Sequence, residues 1–100
     1  MTDKIKDEKV EFLLKGIMSL EMQDEFFSFF TDLCTVSEIQ EMSKRFYAAK
    51  LLNDGRIYSD IAEQTGLSTA TISRVNRCLV YGSDGYRDAL KRLSQKEEEK

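Results

Sequence analysis

Between Ser68 and Arg77 the chain reads Ser-Thr-Ala-Thr-Ile-Ser-Arg-Val-Asn-Arg, with four hydroxyls, one amide, two guanidinium groups and no carboxylate. If this stretch is one helix, Ser68, Thr69, Ala70, Thr71, Ser73, Arg74, Asn76 and Arg77 make a face that is small, polar or basic. Such a face lets the helix backbone come close to base edges in a duplex groove. An acid here would repel phosphate, and none is present although the chain holds 18 Asp and Glu residues. The bland alternative is a weakly stable solvated face, since Ser and Thr are indifferent helix formers. Poor helix formers gathered on one surface helix point instead to residues placed there to be read.

Other chemistries find less support. The chain has no histidine to act as a base, no glycine-rich phosphate loop and no carboxylate pair that can be argued onto one face, so an enzyme is not expected. Cys34 and Cys78 lack a second pair or a histidine to complete a metal site, and read as two reduced thiols with no cofactor. A helical protein-protein interaction module that does not bind DNA is the stronger alternative. The net charge of −3 favours it somewhat.

The charge is uneven, however. Residues 1–55 hold 7 basic and 11 acidic side chains, a net of −4, whereas residues 56–92 hold 6 and 4, a net of +2. The overall sign therefore does not exclude nucleic acid as a partner.

The element that must position the reading face is a helix-turn-helix between Tyr58 and Arg77. This motif crosses two helices over a very short turn, so its requirements are steric. Ala62 supplies the small residue at the crossing, with Ile61 pointing inward beside it. Gly66 takes the left-handed conformation at the turn at no steric cost. Leu67 plugs the turn, Ser68 caps the second helix, and Ile72 and Val75 are the i, i+3 pair that docks it. Two helices follow from this pattern, Tyr58 to Thr65 and Thr69 to Tyr81.

The remaining chain is helical by the same logic. It contains no proline and only five glycines, which predicts an all-α fold. Lys4 to Ile17 carries Ile5, Val10, Phe12, Leu13, Leu14 and Ile17 at roughly helical spacing. Glu25 to Leu33 carries Phe26, Phe27, Phe29, Phe30 and Leu33 on more than one side, and wants burial nearly all round. Thr35-Val-Ser-Glu38 is a capping box that opens a long helix, with Ile39, Met42, Phe46, Ala49 and, on the flank, Leu52 as its apolar stripe. Asn53-Asp54-Gly55 stops it. After Gly82-Ser83-Asp84-Gly85, Tyr86 to Leu93 closes the fold with Leu90 and Leu93 inward, and residues 94–100 form a charged tail.

One hundred residues support one core, so residues 1–93 are expected to form a single domain. A helical chain this short buries little surface alone, which makes a homodimer a natural route to stability. No leader-like segment and no apolar run near the roughly 20 residues of a membrane span is evident. A soluble, cytoplasmic protein with no membrane partner is expected.

From Phe30 to Leu93 the sequence resembles the Trp repressor family, and within it the YerC/YecD branch. The residues that carry the likeness are Thr35 opening the long helix, Arg45 within it, Leu51 and Gly55 near its end, then Gly66, Ala70-Thr71-Ile72 and Arg74. The resemblance implies six helices per chain, interlaced with a second chain through the first three and the last. It further implies a transcriptional repressor that reads double-stranded DNA at a palindromic operator, its two heads about 34 Å apart, the Trp repressor itself being a reference case for this geometry. Thr69, Ala70, Thr71 and Ser73 match the family's base-facing positions. In the family two arginines flank a bound tryptophan, and Arg45 and Arg74 match both. The glycine after the second arginine, which leaves room for the indole, is Val75 here, and the serine near the ligand's amino group is Cys78. Thr35, Arg45, Arg74, Val75 and Cys78 thus outline an effector pocket in which a β-branched side chain would clash with a ring. Tryptophan is accordingly not expected as corepressor. A smaller effector between Arg45 and Arg74 stays open.

Overall fold

A computed structural model of the chain describes residues 6–98, and among them the secondary structure is six helices with no strand. The chain divides into two compact units, Met1–Ile39 and Gln40–Lys100. No helix among the described residues is long and apolar enough to cross a membrane.

In the first unit, Asp7 sets the start of α1 (Glu8–Met18). Its carboxylate accepts from the amides of Lys9 and Val10, each at 2.9 Å, satisfying helix-end donors that would otherwise lack partners. The helix therefore begins after the start at Lys4 that its apolar spacing suggests; Lys4 and Ile5 themselves lie outside the described residues. Helix α2 (Gln23–Leu33) begins two residues earlier than the phenylalanine-rich run indicates. The reason is Glu25, which folds back to accept from the amides of Met22 at 2.9 Å and Glu21 at 3.2 Å. Phe29 and Phe30 meet edge to face at 5.7 Å. Yet no residue of α1 or α2 is buried, and Phe12 and Phe27 are 79% and 68% exposed.

Helix α3 (Val36–Asn53) starts at the expected capping box. The Thr35 amide donates to the Glu38 carboxylate at 2.8 Å, and the Glu38 amide donates to the Thr35 hydroxyl at 3.1 Å. The helix ends where the amides of Gly55 and Arg56 reach back to the carbonyls of Leu52 and Leu51, each at 3.0 Å, the paired bonds of a Schellman ending.

The second unit holds the core. Ala48, Ala49 and Leu51 of α3 pack with Ile61 of α4 (Tyr58–Thr65), with Leu67, with Ile72, Val75 and Leu79 of α5 (Thr69–Tyr81), and with Leu90 of α6 (Gly85–Glu98). Phe46 and Tyr86 stack against it, their ring centroids 6.2 Å apart. Three sequence expectations change here. The buried edge of α3 runs through Ala48, Ala49 and Leu51 rather than Met42, which is exposed; Ala49 in the stripe and Leu52 on its flank are as expected. Leu93 is half-exposed rather than inward, and α6 meets the core through Leu90 and Tyr86. The helix also continues through Leu93 into the charged segment as far as Glu98, since Lys, Arg, Gln and Glu are good helix formers on a solvated surface. Glu99 and Lys100 lie outside the described residues.

Candidate nucleic-acid interface

The two helices of the motif run as the sequence indicates, Tyr58–Thr65 and Thr69–Tyr81. Ile61 and Ile72 are wholly buried, Ala62 is half-buried between them and the surface, and Leu67 and Val75 are buried as well. Gly66 leaves α4 at φ 77° and ψ 6° while its amide donates to the Ala62 carbonyl at 2.8 Å. That left-handed conformation is open to glycine without strain and costly for a residue bearing a Cβ.

One contributor to the turn escaped the sequence reading. The buried Thr65 hydroxyl donates to the Ile61 carbonyl at 2.7 Å and accepts from the Leu67 amide at 3.2 Å. It thereby satisfies the backbone on both sides of Gly66, and a threonine immediately before a turn glycine was the available signal. A second such residue is Arg87 on α6. Its Nε donates to the Leu79 carbonyl at 2.8 Å and its Nη2 to the Val80 carbonyl at 3.3 Å. This fastens α6 to the last turn of α5, where carbonyls lack helical partners.

Ser68 caps α5 as expected. Its hydroxyl accepts from the Thr71 amide and donates to the Thr71 hydroxyl, both at 3.1 Å. Of the eight residues that the sequence puts on the reading face, Ser68, Thr69, Ala70, Ser73, Arg74 and Arg77 are exposed, while Thr71 and Asn76 are half-buried. Thr69, Ser73, Arg74 and Arg77 make no side-chain hydrogen bond or ion pair among the described residues. The face therefore combines free hydroxyls and free guanidinium groups with no carboxylate on the helix.

The sequence profile of the Trp repressor protein family matches residues 8–94. The chain belongs to the Trp repressor family. It is 45% identical over 97 residues to YerC of Bacillus subtilis strain 168, a protein whose function is uncharacterised, with 97% of this chain and 93% of YerC covered. The fold is shared with the crystal structure of a TrpR-like protein from Eubacterium eligens, at TM-score 0.88 and 53% identity, covering 92% of this chain and 95% of that one. A Staphylococcus aureus crystal structure matches at TM-score 0.87 and 42% identity, covering 92% of each chain. The all-α, Trp-repressor-like fold and the YerC branch follow from these matches.

For this Trp repressor family member the five effector-pocket candidates have distinct surroundings. Thr35 is engaged in the α3 capping box. Arg45 pairs with Glu41 one turn earlier at 3.7 Å, both side chains about half-exposed, a contact that contributes little in water. Arg74 and Cys78 are exposed on α5, and Val75 belongs to the core. An open depression along α1, lined by Leu14, Lys15 and Met18 among others, includes none of these five.

Proposed function

We propose that this Trp repressor family member is a cytoplasmic transcriptional regulator, acting as a repressor, that binds a palindromic operator as a homodimer through α5. The observation that carries the reading is the outward face of α5: six exposed candidate residues, two arginines without an ion pair among the described residues and no carboxylate, presented by a closed helix-turn-helix. The exposed phenylalanines of α1 and α2 support a second chain, since a surface of that kind calls for cover. Val75 supports independence from tryptophan, because a side chain packed at 4% exposure leaves no spare volume at its own position.

The test is duplex binding by the full chain over a range of salt. Affinity is expected to fall steeply, by about 10³-fold or more between roughly 50 and 200 mM for six or more phosphate contacts. Arg74→Ala and Arg77→Ala should each weaken it. If neither random nor selected duplexes bind at about 50 mM salt, the reading passes to a protein-interaction module, which the apolar face of α1 and α2 also suits. Calorimetric titration with tryptophan checks the effector part, and micromolar binding there would overturn it.

A further inference from the structure

The two free arginines of α5 occupy different positions on the helix, and we infer that they do different work on DNA: Arg77 reads a guanine on the groove floor, while Arg74 holds a phosphate at the groove wall. The inference rests on the DNA-binding reading above and adds to it which base is read and by which residue.

The geometry comes from the buried side of the helix. Ile72, Val75 and Leu79 are the buried residues of α5, and their mean direction marks the side facing the core. At roughly 100° per residue, Ala70 and Arg77 point within about 15° of directly opposite that direction. Arg74 is turned about 45° to one side of it, and Ser73 a similar amount to the other. A helix seated in a major groove with its core side toward the protein body directs its opposite ridge at the base edges and its flanks at the two backbones. Ala70 and Arg77 form the ridge, and Arg74 lies on a flank.

Side-chain length along the helix agrees with this. Thr69, Ala70 and Ser73 are short and exposed in the first turn and a half, whereas Arg74 and Arg77 are long. A helix that enters a groove by its N-terminal end lifts away from the floor toward its C-terminal end. Arg77 lies about 10 Å further along the axis than Ala70, where only a long side chain still reaches the floor. Two hydroxyls of the face are meanwhile committed elsewhere, because Ser68 and Thr71 bond to each other in the cap. That leaves Arg77 as the free, multiply donating group on the ridge, and a guanidinium aimed at base edges pairs with the O6 and N7 of guanine.

The experiment selects duplexes from a random library with the full wild-type chain. Every single-base change in the selected half-site is then measured against wild type, Arg77→Ala, Arg77→Gln and Arg74→Ala, with circular dichroism confirming the helical fold of each variant. Wild type should prefer guanine at one position per half-site by roughly 5- to 150-fold. Arg77→Ala should erase that preference and leave the other positions unchanged. Arg77→Gln should move it toward adenine, whose N6 and N7 match an amide. Arg74→Ala should weaken all duplexes alike, keep the guanine preference, and reduce the steepness of the log affinity against log salt plot by about 0.9 per head, about 1.8 for the two heads of the dimer. A guanine preference that survives Arg77→Ala or Arg77→Gln, or that disappears in Arg74→Ala, overturns the assignment while leaving DNA binding intact. If wild type binds no duplex, both readings fall.

Discussion

The two units of the chain use their apolar residues in opposite ways. Residues 1–39 contain five of the six phenylalanines, yet no residue of α1 or α2 is buried. Residues 40–100 hold one phenylalanine and build a nine-residue core, chiefly from alanine and branched aliphatic side chains. Apolar content therefore does not make a core; closure does. In the second unit short links at 66–68 and at 82–84 fold α5 back onto α4 and α6 back onto α5, so small side chains suffice to exclude water. The first unit has large rings and too few elements to enclose them, the condition under which the proposed second chain would supply the missing wall.

The sharpest way to break this comparison is to remove one apolar side chain from each unit. Ile72→Ala, at a wholly buried site, is expected to cost about 2–5 kcal/mol in denaturant unfolding. Phe27→Ser, at a site 68% exposed, should shift the full chain from dimer toward monomer in sedimentation equilibrium. If it moves stability by less than about 0.5 kcal/mol and leaves the sedimentation unchanged, the first unit's face is an ordinary surface and the contrast fails.

The glycines offer a smaller, signed version of the same test. Gly66→Ala forces a Cβ into a left-handed turn and should destabilise by about 1–2 kcal/mol. Gly16→Ala lies within α1, where among the described residues the new Cβ would meet only the Phe29 ring at 3.8 Å. It should stabilise by roughly 0.5–1 kcal/mol. Thermal unfolding of the two variants reads the opposite signs.

Ser68→Ala removes the α5 cap and should cost about 1 kcal/mol, with hydrogen exchange rising first at the Thr71 amide. If exchange there stays unchanged, Ser68 is free for DNA and belongs among the reading residues. The weakest effect is expected at Glu38. Its hydrogen bonds to the Thr35 backbone and then to the Thr35 side chain hold the carboxyl below its ordinary value near 4.5. A carboxylate whose folded value is depressed stabilises above its unfolded value and loses that contribution as pH falls through the folded one. Acidification below about 4.5 should therefore loosen the start of α3 in wild type, and Glu38→Gln should flatten that part of the helicity profile.

Much of this was legible in the residues, and the exceptions share a cause. The bounds of α4 and α5, the Thr35 and Glu38 box and the turn at Gly66 were all readable because each depends on residues within four positions of one another. Asp7 and Glu25 were equally local but were overshadowed by the apolar runs beside them, so α1 and α2 began elsewhere than their hydrophobic spacing implied. Leu93 and Met42 were misplaced for a different reason: helical periodicity finds an apolar stripe but not where along it a neighbouring helix stops covering it. The stacking of Phe46 on Tyr86 and the fork of Arg87 onto α5 join residues too far apart in the chain for any spacing rule. On the reading face, composition alone put Thr71 and Asn76 with the rest, and burial sets them apart.

By itself, the sequence determined the helical class, the capped starts of α3 and α5, the glycine turn and an acid-free second helix, because propensity, capping and backbone sterics act over one or two turns. Only the tertiary structure decided that Leu79 joins Ile72 and Val75 on the buried side of α5, which fixes the centre of its outward side. That choice depends on the joint packing of Ile72, Val75 and Leu79 with Ile61, Ala48 and Leu90, which no short window contains. It is also what separates Arg77 on the ridge from Arg74 on the flank, two arginines that the sequence alone leaves equivalent.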